Sequence, residues 1–126
     1  MSTSSLVSIN IVTFNAKPYI QKALASIKAQ TYPHIEVNIL DNNSHDGTPD
    51  IIENVSKKLG LPITSYPLHE NTGFAKGHNI LIKKSRGKFI LLLNQDAWLA
   101  PDYVVNALEL FAKDGKIGVI QPIRMV

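Results

Sequence analysis

The sequence contains no cysteine, which excludes disulfide bridges, thiolate-bound metal sites and cysteine nucleophiles. It also lacks long hydrophobic runs. The longest purely apolar stretch, residues 89–93, is far shorter than the roughly 20 residues that cross a membrane as a helix. The N-terminus has no basic region followed by a long apolar stretch, so we expect no signal peptide and a cytoplasmic protein.

Several binding-site signatures are missing as well. No G-x-G-x-x-G motif occurs, which argues against a dinucleotide-binding domain, and no G-x-x-x-x-G-K-[ST] occurs, which excludes a P-loop enzyme. No nucleic-acid-binding motif or interleaved aromatic platform is present, so we expect no nucleic-acid partner. The histidines lack a metal-binding spacing and are interpreted as surface or turn residues: His34, His45, His69 and His78.

The composition is that of an ordinary globular domain, with 126 residues, 44% of them hydrophobic and 18% charged. We therefore expect a single domain over residues 1–126. The net charge is only +3, with one basic cluster at residues 83–88. This cluster fits a solvated helix end, or else a surface that faces an anionic ligand or the inner face of a membrane.

Apolar residues alternate between strand and helix periods along the chain. Strands are predicted at residues 6–14, 35–40, 63–66, 89–93 and 117–120. Helices are predicted after Pro18, from Thr48–Pro49, over residues 74–84 and from Pro101. This order predicts an α/β fold with a mostly parallel sheet and helices on both faces.

Polar residues follow each of the first four predicted strands. The exits are Thr13–Asn15, Asp41–Thr48, Glu70–Phe74 and Asn94–Asp96. Because ligands of open α/β sheets bind outside the carboxyl ends of the strands, these exits predict a polar-ligand site. A phosphoacceptor receiver domain shares this topology, but it needs clustered acids after the first strand, where this chain offers only Asn15.

The same exits resemble the inverting family 2 glycosyltransferases. The matching stretches are VTFN at 12–15, LDNNSHDGT at 40–48, NTGFAKGHN at 71–79 and LLLNQDAWL at 91–99. The resemblance covers the chain from Leu6 onward and corresponds to the N-terminal, nucleotide-binding half of these enzymes. It implies a truncated, Rossmann-like GT-A nucleotide-diphospho-sugar transferase fold. The third and fourth stretches look most like rhamnosyltransferase-type members, which build bacterial surface polysaccharides.

The resemblance implies a base-binding set at the first two exits. Asp41 matches an aspartate that accepts a hydrogen bond from N3–H of uracil or thymine; an Asx-type turn is the alternative. Phe14 is expected to lie against the base. Asn15 is expected to bond the base or hold the loop, with a cap of the first helix as the alternative. Thr13 and Asn43 are assigned to the same nucleotide-sugar site.

The third exit and the turn after the second strand have further expected roles. Gly73 allows a close approach of the backbone to the ligand. Lys76 is expected to meet the base or a phosphate, and a solvated surface position is the alternative. Asp46 and Thr48 are interpreted as turn and cap residues, and Gly47 as the source of the turn geometry.

The resemblance places Asn94, Gln95 and Asp96 at the D-x-D motif of the family, as part of the nucleotide-sugar site. Residues i and i+2 of an extended segment share a face, and oxygen ligands there hold Mg²⁺ or Mn²⁺ together with diphosphate oxygens. Asp96 is the metal candidate, because Asn94 offers only a neutral amide and can instead meet the ribose or the diphosphate. A cap of the following segment is the alternative for Asp96. Trp98 is expected to wall the sugar pocket or to pack in the core.

An inverting transferase needs a base that takes the proton from the acceptor hydroxyl. After Asp96 the carboxylates are Asp102, Glu109 and Asp114, and none is a good candidate. We therefore expect the donor half of an enzyme, with negligible transferase activity by itself. The donor would be a UDP- or dTDP-sugar and the acceptor a saccharide or a lipid-linked sugar. A non-catalytic nucleotide-binding or interaction module is the alternative.

Self-association is a further expectation. The predicted fifth strand, residues 117–120, and the tail, residues 122–126, would expose apolar side chains at the edge of the sheet. Because such patches favour association, we expect that this chain can form a homodimer.

Overall fold

The computed structural model describes residues 4–121, in which strands and helices alternate as the sequence predicts. The elements are β1 Val7–Thr13, α1 Ile20–Lys28, β2 Ile35–Asp41, α2 Thr48–Leu59, β3 Ile63–Pro67, α3 Phe74–Lys84, β4 Phe89–Leu92 and α4 Tyr103–Lys113. None of these helices is both long and apolar enough to cross a membrane.

The strands form one parallel sheet in the order β3-β2-β1-β4. Thr13, the last residue of β1, pairs with Asp41, the last residue of β2, and Asp41 pairs with Pro67 of β3. Since the strands run in the same direction, the loops that follow them meet at one edge of the sheet. The predicted polar exits are therefore neighbours in space.

Helices cover both faces of the sheet, as predicted. On one face α1 has its apolar residues at helical spacing, and all of them are buried: Ile20, Ala23, Leu24 and Ile27. They join the main core with Ile9 and Ile11 of β1, Ile52 of α2 and Val104 of α4. Successive strand residues point to opposite faces of the sheet. Val12, which follows Ile11, therefore packs on the other face under α3.

Helix α3 lies directly on the sheet because Gly77 has no side chain. A Cβ at this position would come within 3.0 Å of Val12 Cγ2 and 3.3 Å of Leu40 Cδ2. The glycine therefore sets the distance between α3 and the sheet.

Beyond the last turn of α3, a carboxylate holds the chain to the start of the sheet. Glu36 on β2 accepts hydrogen bonds from Ser8 Oγ, from Arg86 N at 2.8 Å and from Arg86 Nε at 3.2 Å. Partial burial of Glu36 opposes its ionisation, but hydrogen bonds from Ser8, Arg86 and Asn38 outweigh this and lower the pKa of the carboxyl.

The predicted fifth strand is wrong. Residues 117–120 have no strand structure, and Val119 is 86% exposed. Residues 118–120 line an apolar groove next to β4, but they form no ladder with the outer edge of that strand, and an apolar segment that does not pair is not a strand. The predicted tail, residues 122–126, lies outside the described residues.

Two helix starts differ slightly from the prediction. Helix α2 includes Thr48 as its first residue and is preceded by Gly47 at φ 87°, so Thr48 is not the cap residue. Helix α4 begins at Tyr103, two residues after Pro101. Such shifts of one or two residues are usual at helix ends.

We expect Glu36→Gln to lower the free energy of unfolding by about 1–2 kcal/mol at pH 7, because it removes a charged acceptor of several hydrogen bonds. Folding lowers the pKa of Glu36, so its contribution is present above the unfolded-state value near 4.5 and is lost as the pH falls through the folded-state pKa. Urea unfolding of both proteins at a series of pH values measures this difference.

The matched control is Glu53→Gln. Glu53 forms an exposed pair with Lys57 at 3.2 Å, and its loss should change stability by less than about 0.5 kcal/mol. A difference between wild type and Glu36→Gln that stays constant from neutral to acidic pH would contradict the assigned role.

Candidate functional site

The end of β2 is organised by the buried carboxylate of Asp41. Its Oδ1 accepts hydrogen bonds from Thr13 Oγ1 and from Ser44 Oγ, both at 2.7 Å. Its Oδ2 accepts one bond, from Ser44 N at 2.9 Å. Asp41 thus joins the ends of β1 and β2 and fixes the first turn of the loop after β2.

The loop after β1 is held by the loop after β2. Asn15 N donates to Ser44 Oγ at 2.8 Å, and Asn15 Oδ1 accepts from His45 N at 2.9 Å. Lys17 N donates to Asp46 Oδ2 at 3.0 Å. Asn15 lies at φ 48° and holds this loop. The alternative that it caps α1 is wrong, since α1 begins at Ile20 without a side-chain cap.

The turn before α2 joins the same network. Asp46 Oδ1 accepts from Thr48 N and Thr48 Oγ1, and Thr48 Oγ1 accepts from Ala16 N at 2.9 Å. Desolvation raises the pKa of Asp46, but hydrogen bonds from Thr48 and Lys17 outweigh it and lower the pKa overall. Gly47 provides the left-handed turn residue that the sequence predicts.

Asn42 links the loop after β2 to the loop before α3. Its side chain is buried, donates to Gly73 O at 3.0 Å, and accepts from Thr72 N at 3.0 Å and Thr72 Oγ1 at 2.9 Å. The position of the α3 N-terminus therefore depends on this one amide. Sequence analysis did not select Asn42. Because this residue directly follows Asp41, its side chain is expected on the opposite face of the sheet, and this alternation was the available signal.

Gln95 links the loop after β4 to the loop after β1. Its Oε1 accepts from Phe14 N at 2.8 Å, and its Nε2 donates to Phe14 O at 3.2 Å. The predicted ligand-binding residue Gln95 is thus engaged with the backbone of Phe14. This pair of bonds fixes the backbone of Phe14 at the sheet edge.

These loops enclose a cleft of about 390 Å³ at the predicted edge of the sheet. Its lining residues are Val12, Phe14, Asn42, Asn71, Gly73, Phe74, Asn94, Gln95 and Asp96. Phe14 is 42% exposed and Phe74 is 57% exposed. Phe74 and Asn71 are further residues that sequence analysis did not select, although both lie in the third matching stretch.

Other predicted site residues lie elsewhere. Asp41 and Thr13 point to the α2 side of the sheet, where Asp41 lines a separate groove of about 310 Å³ between α2 and β3. Asn43 is half-buried at φ 65° beside the turn. Lys76 is exposed on the first turn of α3. Gly73 lies on the cleft at φ 87°, where glycine is favoured.

Two aromatic side chains do not lie where the sequence suggested. Trp98 is 58% exposed, so core packing is wrong for it, and Lys22 Nζ lies 3.5 Å from its ring centroid. His78 is 3% exposed, so its interpretation as a surface residue is wrong. Within residues 4–121 neither ring nitrogen of His78 has a hydrogen-bond partner, and burial lowers the pKa of the imidazole.

The cleft suits a divalent cation only if a ligand completes the coordination. Among residues 4–121 no group of three or more histidine, cysteine, aspartate or glutamate side chains is arranged around a common point. Asp96 and Asn94 both lie exposed on the cleft, without side-chain hydrogen bonds in this part of the chain. One carboxylate and one amide oxygen fit Mg²⁺ or Mn²⁺ when phosphate oxygens supply further ligands.

Comparison with known proteins identifies the class. The sequence model "Glycosyl transferase family 2" matches residues 8–126, so the chain belongs to this family. The putative glycosyltransferase EpsH of Bacillus subtilis is 35% identical over 103 residues, which are 81% of this chain and 29% of EpsH. The putative teichuronic acid biosynthesis glycosyltransferase TuaG of the same organism is 33% identical over 104 residues, 82% of this chain and 41% of TuaG.

The fold is shared with solved glycosyltransferase structures. The mannosyltransferase PcManGT from Pyrobaculum calidifontis, in complex with GDP-Man and Mn²⁺, superposes with a TM-score of 0.85 at 29% identity. The match covers 90% of this chain and 34% of PcManGT. The GT-A fold predicted from the motifs is therefore confirmed, and the chain spans well under half the length of these three relatives.

We expect Asn42→Ala to lower the free energy of unfolding by about 1–3 kcal/mol, because it leaves Thr72 N–H without its acceptor and removes one of the two donors to Gly73 C=O, the other being Gly77 N. Amide hydrogen exchange of Thr72 should accelerate more than that of residues within β1. Denaturant unfolding and exchange detected by NMR measure the two effects.

The control is Asn43→Gly at the neighbouring position. Asn43 lies at φ 65°, a conformation that glycine adopts readily, so this change should leave Thr72 exchange unaltered. Equal exchange at Thr72 in wild type and Asn42→Ala would show that Asn42 does not hold the loop.

Proposed function

We propose that this chain is the donor-binding part of an inverting glycosyltransferase. It would bind a nucleoside-diphosphate sugar whose sugar is transferred to a saccharide or lipid-linked acceptor. The observation that carries the proposal is the cleft where the loops after β1 and β4 meet α3, lined by aromatic rings, amides and Asp96. Membership of family 2 and the nucleotide sugar bound by PcManGT support it.

The donor nucleotide is proposed to be UDP or dTDP. Asp41 Oδ2 accepts one hydrogen bond from the described residues, from Ser44 N, and so retains acceptor capacity for N3–H of a pyrimidine whose ring reaches from the cleft over the ends of β1 and β2 to the α2 side. Phe14 follows Thr13, the partner of Asp41, and exposes its ring for contact with the base. Uracil and thymine share this N3–H group, whereas the sugar and its acceptor require separate tests.

Asp96 and Asn94 would hold the divalent cation together with oxygens of the diphosphate. When bound, the cation neutralises negative charge on the departing nucleoside diphosphate. The chain itself presents an exposed carboxylate and an exposed amide on the cleft. They lie next to the two hydrogen bonds between Gln95 and the Phe14 backbone. The Mn²⁺ in the PcManGT complex supports this arrangement.

The base that accepts the proton of the acceptor hydroxyl is not among the carboxylates after Asp96. None of Asp102, Glu109 and Asp114 lines the cleft, and Asp114 Oδ1 is occupied by Lys116 N. We infer that these residues are not catalytic.

The name of TuaG supports a role in surface polysaccharide synthesis. The rhamnosyltransferase-like subgroup, membrane association and self-association stay predictions.

We expect UDP or dTDP to bind in the presence of Mn²⁺ or Mg²⁺, and Asp96→Ala to remove the metal dependence, because no second carboxylate among the described lining residues replaces it. Isothermal titration of UDP, dTDP and GDP with Mn²⁺, with Mg²⁺ and with EDTA measures this dependence. The matched control is Asp102→Ala, a carboxylate outside the cleft.

Nucleotide binding that EDTA leaves unchanged in the wild type would overturn the role of Asp96. Binding without turnover of any donor, when the natural protein is tested at its full length, would favour the alternative of a non-catalytic nucleotide-binding module.

We expect Asp41→Ala to weaken pyrimidine nucleotide binding by about 1–3 kcal/mol, the cost of a lost hydrogen bond to a buried carboxylate. Because Asp41 also fixes the turn after β2, Asp41→Asn is measured beside it, with thermal unfolding of each variant. Glu109→Ala on α4, an exposed carboxylate that lines neither the cleft nor the groove of Asp41, is the control. Equal affinity of wild type and Asp41→Ala would contradict the assignment.

A further inference from the structure

We propose that Phe74 is a ligand-contacting residue that forms, with Phe14, an aromatic wall against the nucleobase of the donor. This inference rests on the proposed function, because it takes the cleft to be the nucleotide site. Phe74 belongs to the third matching stretch, residues 71–79, and neither the motifs nor the metal chemistry assigns it a role.

The Phe74 ring is exposed to solvent on the cleft. Phe74 is 57% exposed although it lies on a cleft rather than on an open surface, and Phe14 on the same cleft is 42% exposed. An apolar ring that faces water at the mouth of a polar cleft gains free energy when a ligand covers it. Two such rings in one cleft of about 390 Å³ favour a ligand with a flat, apolar face.

The Phe74 ring is held in place by its neighbours before a ligand binds. Gly73, the preceding residue, has both backbone polar groups occupied, its N–H by Asn71 Oδ1 at 2.8 Å and its carbonyl by Asn42. The buried ring of His78 lies against Phe74 in an edge-to-face contact, with centroids 4.5 Å apart and planes at 70°. A ring fixed before the ligand arrives loses little conformational entropy on binding.

The rest of the cleft lining carries almost no charge. Apart from Asp96, the polar side chains that line the cleft are neutral amides, and no lysine or arginine is among them. Asn42, Asn71 and Gln95 already bond backbone groups, and Asn94 is assigned with Asp96 to the cation, so the amides do not select the base. A lining without lysine or arginine offers a phosphate no positive partner except a cation held at Asp96. The two rings therefore mark the nucleoside end of the ligand, and Asp96 with Asn94 marks the diphosphate end.

The experiment titrates UDP and UDP-GlcNAc, each with Mn²⁺, into wild type and Phe74 variants. We expect Phe74→Ala to weaken binding of UDP by roughly 5- to 100-fold, the range that base–aromatic stacking gives on alanine substitution. Phe74→Leu should also lose affinity, because it keeps apolar area without a ring. Phe74→Tyr should bind like the wild type.

The matched control is Ile82→Ala. Ile82 is an exposed apolar residue on the same helix, but it lines the separate groove beside β4, so UDP affinity should not change. Thermal unfolding of each variant, measured without nucleotide, separates lost affinity from lost folding.

The outcomes distinguish this inference from the proposed function. If the wild type binds UDP and Phe74→Ala binds it equally well, the role of Phe74 is overturned and the proposed function stands. Loss of affinity for UDP-GlcNAc but not for UDP would also overturn it, because the ring would then contact the sugar. If the wild type binds no nucleotide at all, both proposals fail.

Discussion

The site depends on the register of β1 and β2, which brings Thr13 opposite Asp41 at the last residue of both strands. This register lets Thr13 Oγ1 donate to Asp41, whose carboxylate also receives Ser44. The loop after β2 is thereby folded back towards β1, where its side chains meet the backbone of the loop after β1. A shift of one residue would turn Asp41 to the other face of the sheet and break these bonds.

The remaining loops are joined to this pair through single amide side chains. Asn42 holds the segment before α3, and Gln95 holds the loop after β4 against Phe14. Because bonds of this kind are formed before a ligand arrives, the cleft is preorganised, and little binding free energy is spent on ordering it. The Thr13–Asp41 pair is thus connected to the cleft through these loops.

The motif after β4 shows how one departure changes the chemistry of a site. In the proposed D-x-D correspondence Asn94 stands where the family has an acid, and the cleft presents the single carboxylate of Asp96 among its described lining. A neutral amide repels a diphosphate less than a second carboxylate would, but it binds a cation less strongly. Metal and nucleotide should therefore depend on each other for binding more than at a site with two acids.

The sequence by itself determined the alternation of strands and helices, because burial of Ile20, Leu24 and their neighbours follows helical spacing, and it placed polar residues after each strand. Only the tertiary structure separated Asp41 from the cleft that holds Asp96, since strand residues alternate between faces and the choice of face depends on packing. It alone buried His78 and left residues 117–120 without strand structure, because burial and β-pairing need partners distant in the chain.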